Sequence, residues 1–250
     1  MHGSSIISSQ HSENVWSQTS TWTSIQLATL KLIYCDGGLN DIVTADLRST
    51  NLPVDAERVL LPGQNLVPGL AIESIGRKFY NRTLQLLQFP DEPPVDSVAR
   101  DLLDAADMEG NVVHFRPKPH MNDEWKGHNI ASVPDYGIYI APYESLMIIV
   151  EDKGAEHQLA GEMFVTARSS ARYVLSDKNI YGMTLRGTSI RFYKAVFSMA
   201  YLQAPGTHQS VTIWRYPPQT QEPLDIRHPT DRDQVVRILC RIREQIESMA

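Results

Sequence analysis

The chain has 250 residues and a net charge of −6, with 42% hydrophobic and 21% charged residues. One or two domains are expected at this length, and roughly 70% of the unfolded surface can be buried without staples. The composition excludes a mainly disordered chain, a coiled coil and a collagen, and the charge excludes a whole-molecule basic field, though not a local basic face.

The cysteines, Cys35 and Cys240, lie far apart. That is neither a disulfide framework nor a zinc finger, and it fits a reducing compartment, cytoplasmic or nuclear. No apolar run approaches the ~18 residues of a membrane span. The N-terminus lacks the basic-then-apolar pattern of a signal peptide. Asn81-Arg82-Thr83 matches a glycosylation acceptor, which matters only in a secreted protein.

Residues 1–20 are polar and predict a flexible leader. Residues 21–250 then read as a single domain. A short helix is expected over 22–34, ended by Gly37-Gly38. Pro53, Pro62 and Pro68 break residues 40–68 into short pieces. Helices are predicted over 69–89 and 95–108, the second stopped at Gly110. Val112–Phe115 is a short strand, and 116–129 reads as a polar loop.

Further strands are predicted at Tyr136–Ile140 and Leu146–Val150, the latter a continuous apolar run of a strand covered on both faces. Residues 156–169 return to helix. Ile180–Leu185 and Ser189–Tyr193 form a hairpin about Arg186-Gly187-Thr188. Val196–Leu202 and Val211–Tyr216 add strand or mixed content. Thr230 is expected to cap a final helix over about 230–249, with Val235, Ile238, Leu239, Ile242 and Ile246 as its apolar stripe. The order predicts an α/β (α+β) domain: a mixed central β-sheet flanked by helices.

The chemistry gathers around the apolar strand. Asp135 follows Pro134 at the start of one strand, and Glu151 and Lys153 stand where Leu146–Val150 runs out. Residues i and i+2 of a strand share a face, so Glu151 and Lys153 are neighbours. If the two strands pair, Asp135 lies beside Glu151. Two carboxylates can hold Mg²⁺, or Mn²⁺, which polarises a phosphate and acidifies a bound water. Lysine can orient that water or neutralise developing charge.

Pro134-Asp135, fifteen residues, then Glu151-Asp152-Lys153 resembles the signature of the PD-(D/E)XK nuclease superfamily, with its restriction-endonuclease-like fold. In that family the motif straddles two adjacent strands of a mixed sheet, and a helix follows. The resemblance covers about residues 69–216 and implies a metal-dependent nuclease. Asp135 and Glu151 would bind metal, and Lys153 would serve catalysis. Several branches carry a glutamine soon after the lysine, which makes Gln158 a candidate. It opens a helix with Glu162 one turn further on. Many members carry an early helical acid at the metal, for which Glu73 is best placed. Homodimers are common in the family. The stretch Ile180–Tyr193 is also similar to nuclease-like proteins common in fungi.

The bare triplet is not specific, since about one acid-x-Lys is expected by chance from 29 acids and seven lysines. A second, Glu124-Trp125-Lys126, falls in the expected loop and is read as the chance event. Bland readings stand beside the functional ones. Glu151 and Lys153 also suit a solvated ion pair, Asp135 a turn former, Glu73 a solvated helix position and Gln158 a helix-start cap.

Residues 163–216 carry Arg168, Arg172, Lys178, Arg186, Arg191, Lys194 and Arg215 against one acid, Asp177. Such a surplus suits contact with a nucleic-acid backbone, or pairing with the chain's own acids. His114, His120 and His128 match no zinc spacing, and neither a phosphate-binding glycine loop nor a Gly-x-Ser-x-Gly elbow occurs. The alternative to an active nuclease is an inactive member of the same fold that binds nucleic acid or a protein partner.

Overall fold

The computed structural model describes residues 16, 18–44, 46–60, 65–68, 76–88, 93–109, 113–140, 144–151, 156–172 and 176–248, the side chains of 93–94 and 144–151 excepted. The first helix, α1 (Ser24–Leu30), opens on a capping box. Thr23 Oγ1 accepts from the Ile25 amide, and Gln26 Oε1 accepts from the Thr23 amide at 2.8 Å. Lys31 is left-handed and stops the helix. Leu32–Asp36 is then a strand, β1, where one continuous helix was expected. Its side chains find a sheet partner far along the chain, which no local pattern reveals.

The segment after β1 is indeed broken into short pieces. They are α2 (Leu39–Ile42), two 3₁₀ turns and α3 (Glu57–Leu60). Then come α4 (Arg77–Gln88), inside the predicted span 69–89, of which 69–75 lie outside the described residues, and α5 (Pro93–Ala105), which starts two residues before the predicted 95–108. The expected stop at Gly110 lies outside the described residues. Strand β2 (Val113–Pro117) follows.

The predicted polar loop is instead a hairpin, β3 (Met121–Trp125) and β4 (His128–Ser132), turning at Lys126 and Gly127, both at positive φ. Glu124-Trp125-Lys126 therefore does have a strand beneath it. The hairpin was hidden because one inward position of β3 is Asp123, a buried acid.

The later elements follow the sequence, except that the end of the Val196–Leu202 segment is helical and the short strand Leu224–Asp225 was not predicted. They are β5 (Tyr136–Ile140), β6 (Glu144–Glu151), α6 (Glu156–Ala171), β7 (Lys178–Arg186), β8 (Ser189–Phe197), α7 (Met199–Gln203), β9 (Val211–Tyr216), β10 (Leu224–Asp225) and α8 (Pro229–Glu247). Thr230 is not the cap of α8. His228 holds that position without a side-chain bond, and Pro229 starts the helix, where its missing N–H costs nothing.

The main sheet runs β1-β9-β8-β7-β6-β5-β2, with β10 beside β8. It is mixed: β1/β9 and β6/β7 are parallel, and the other pairs are antiparallel. Helix α6 covers one face. A Cβ on Gly182 would meet Leu159 and Met163. The opposite face takes α5 and α8, where Tyr136 donates to the Asp96 carbonyl and Tyr181 to Gln245. All five residues of the predicted α8 stripe are buried.

Trp16 and Gln18–Ser20, expected in the leader, are placed against this body. Trp16 meets Trp22 and Trp125 edge-on, and Gln18 bridges to Ala131 of β4. Helix α6 thus lies between the sheet, the β3–β4 hairpin and this segment. It is buried nearly all round, as a helix enclosed on every side must be. Among the described residues, no helix is long and apolar enough to cross a membrane.

Candidate functional site

Strands β5 and β6 pair antiparallel, as expected, with Tyr136 opposite Ile149. Asp135 immediately precedes the last pair of this ladder, at the end of the sheet where Glu151 closes β6. The Lys118 amide donates to the Asp135 carbonyl at 2.8 Å, tying this corner to the end of β2. Glu151 closes β6 opposite Leu185 of β7. Five residues later α6 begins and carries Gln158 back over the sheet. Asp135, the end of β6 and the start of α6 thus share one end of the sheet.

The side chain of Glu151 and the whole of Lys153 and Glu73 lie outside the described residues. What is described around Asp135 is a carboxyl pair. Glu162, one turn along α6 from Gln158, is 1% exposed. Its Oε1 accepts from Gln158 Nε2 at 2.8 Å, and its Oε2 is buried without a partner. Burial drives its pKa up to about 8. The Gln158 hydrogen bond opposes the rise, the Asp135 charge adds to it, and the Thr19 side chain opposes it. Glu162 is therefore held largely protonated at pH 7. The sequence showed its spacing from Gln158 but not its burial, which depends on Thr19 from the distant N-terminal segment.

The expected phosphate-contacting residues are mostly occupied within the molecule. Arg168 binds Asp123 and donates to the carbonyls of Leu202 and Glu124 at 2.7 and 2.9 Å. Arg172 binds the other oxygen of Asp123. Lys178 is 1% exposed, with its ammonium on Ser176 at 3.2 Å, so it is no surface contact for phosphate. Arg191 donates to the carbonyls of Pro217, Pro218 and Gln221. Lys194 stacks over Tyr181; burial lowers its pKa against the charge of Asp41. Arg186 is exposed at the hairpin end.

A second polar group was not foreseen. Arg215 of β9 is buried, and it reaches Asp36 of β1 at 2.7 Å and Glu156, the first residue of α6, at 2.6 Å. Its partners lie 179 and 59 positions away in the chain, so no motif announces them.

Among the described residues, no three His, Cys, Asp or Glu side chains gather as a metal site. Asp135 is the one expected ligand whose side chain is described. As a partly exposed carboxylate at a strand start, it offers the hard oxygen that Mg²⁺ prefers. The chain matches no protein-family model and no curated protein significantly.

Proposed function

We propose that the chain is a metal-dependent nuclease with a restriction-endonuclease-like core, hydrolysing phosphodiester bonds. One observation carries the reading. The Pro134-Asp135 corner leads into β5 at the sheet end where its antiparallel partner β6 closes on Glu151, and a helix returns Gln158 over the same end. The family signature calls for two adjacent strands of a mixed sheet followed by a helix.

In this reading Asp135 and Glu151 hold Mg²⁺ or Mn²⁺. Once bound, the ion would polarise a phosphate and acidify a water. Lys153 would orient the attacking water and offset the charge gathering on the phosphate. Gln158 supports the site by holding Glu162, whose neutral carboxyl avoids adding a third negative charge beside Asp135. Glu73 is kept as a further ligand on the resemblance alone.

One finding favours the second reading, an inactive module of the same fold. Arg168, Arg172, Lys178 and Arg191 are engaged inside the molecule, which leaves less basic surface for a nucleic-acid backbone.

Incubation with single-stranded DNA, duplex DNA and RNA, in Mg²⁺ or Mn²⁺ and then in EDTA, separates the two. The nuclease reading expects cleavage that needs the metal and falls at least a hundredfold in Lys153→Ala, the order of a general-base or charge-stabilising group. Binding without cleavage supports the inactive module. Cleavage unchanged in the variant places the chemistry elsewhere.

A further inference from the structure

We propose that Arg215, Tyr193 and Tyr34 are positioning residues that fix the start of α6 through Glu156, and with it the approach of Gln158 to the end of β6. The inference rests on the nuclease reading.

The geometry is a convergence from three strands. Tyr193, Arg215 and Asp36 are direct cross-strand partners on β8, β9 and β1, so their side chains form one row on one face of the sheet. That face is the one α6 covers. Arg215 Nη1 donates to Glu156 Oε1 at 2.6 Å, and Tyr193 Oη donates to the same oxygen at 3.2 Å. Tyr34 Oη donates to the Glu156 main-chain carbonyl. One residue is thus held at its side chain and at its backbone.

Arg215 is itself fixed from behind. Its Nε and Nη2 both reach Asp36 Oδ1, at 2.9 and 2.7 Å, and Nη2 also reaches Gln219 Oε1 at 3.0 Å. The Gln219 amide donates to the same Asp36 oxygen at 2.9 Å. The guanidinium is 6% exposed and paired on both sides, so it is rigid. A charge-assisted bond from such a group is stronger and more directional than a neutral one.

Glu156 stands five residues after Glu151 and two before Gln158. A sheet-wide anchor at this point sets the register of the helix start against the end of β6. A 1 Å error at a catalytic group is costly in rate, so such anchors matter beyond stability.

The test uses the full chain with Glu156→Ala and Glu156→Gln, the second keeping an acceptor for Arg215 and Tyr193. The Mg²⁺ concentration for half-maximal cleavage should rise roughly tenfold in Glu156→Ala, as expected when one charge-assisted hydrogen bond is lost. KM for nucleic acid should stay unchanged, and Glu156→Gln should recover most of the metal response. Amide exchange over residues 160–163 should quicken in Glu156→Ala while α8 stays protected. An unchanged metal requirement, or a defect that glutamine does not rescue, overturns the proposal. If the native chain cleaves nothing, the nuclease reading fails, and exchange alone judges the anchor. Unchanged exchange at 160–163 then overturns it too.

Discussion

Glu162 keeps at pH 7 a proton that an ordinary glutamate gives up. Its pKa of about 8 is set first by burial, and its charged form would face both a dry surrounding and the Asp135 carboxylate. The unfolded chain releases this proton near the usual glutamate range, while the folded chain retains it. Between those two values the folded state binds more protons, so stability falls as pH rises. The loss is complete above about 8. The slope from this one group is at most about 1.4 kcal/mol per pH unit. Glu162→Gln keeps the shape and removes the titration. Urea midpoints from pH 5 to 9 should therefore fall less steeply in the variant than in the native chain. Parallel curves would mean that Glu162 ionises normally. The residue scale is also where the sequence was least legible. Asp123 fell in an expected loop, and Lys178 and Arg215 counted in a basic surplus suited to a nucleic-acid backbone or to the chain's own acids, yet all three are buried.

At the scale of elements, α6 shows what was legible and what was not. Its span and the strands on either side followed from periodicity and from the apolar run before it. Its covering did not. The hairpin β3–β4, Trp16 and the segment from Gln18 to Trp22 pack on its outer side, where a loop, a leader and the start of a helix had been read. A hairpin carrying Asp123 inward has no clean alternation, because the two arginines that balance this acid come from the last turn of α6 and the residue after it. Strand β1 was missed for the same reason, since its partner β9 lies some 180 residues further on. Gly161 records how close the N-terminal segment comes. A Cβ there would lie 2.7 Å from Trp22 Cε3 and 3.1 Å from Thr19 Cβ. The indole is buried and cannot simply swing aside. Gly161→Ala should cost about 1–3 kcal/mol, the range for overpacking a filled core, and shift the tryptophan emission. Equal urea midpoints and spectra would show that the segment does not press on α6.

Across the whole molecule, the sheet sends several polar groups to one end. Asp135 precedes β5, Glu151 ends β6, Glu156 and Gln158 open α6, and Asp36 closes β1. The strands and helix around Glu151 were legible because local signals agreed: an apolar run, a Pro-Asp pair before the preceding strand and a helical pattern after it. The anchor on Glu156 was not, since it is assembled from β1, β8 and β9. The basic surplus of residues 163–216 was legible as a count but not in its use. Its larger part balances acids and carbonyls of the same chain.

A metal site shared by Asp135 and Glu151, as proposed, can be tested without knowing the substrate. Mn²⁺ binding followed by electron paramagnetic resonance, in the native chain, in Asp135→Asn and in Glu151→Gln, asks the question directly. A bound ion is expected in the native chain, weakened at least tenfold by either substitution alone, about 1.4 kcal/mol for a lost carboxylate ligand. Native binding that survives both substitutions, or no binding in the native chain, would contradict it.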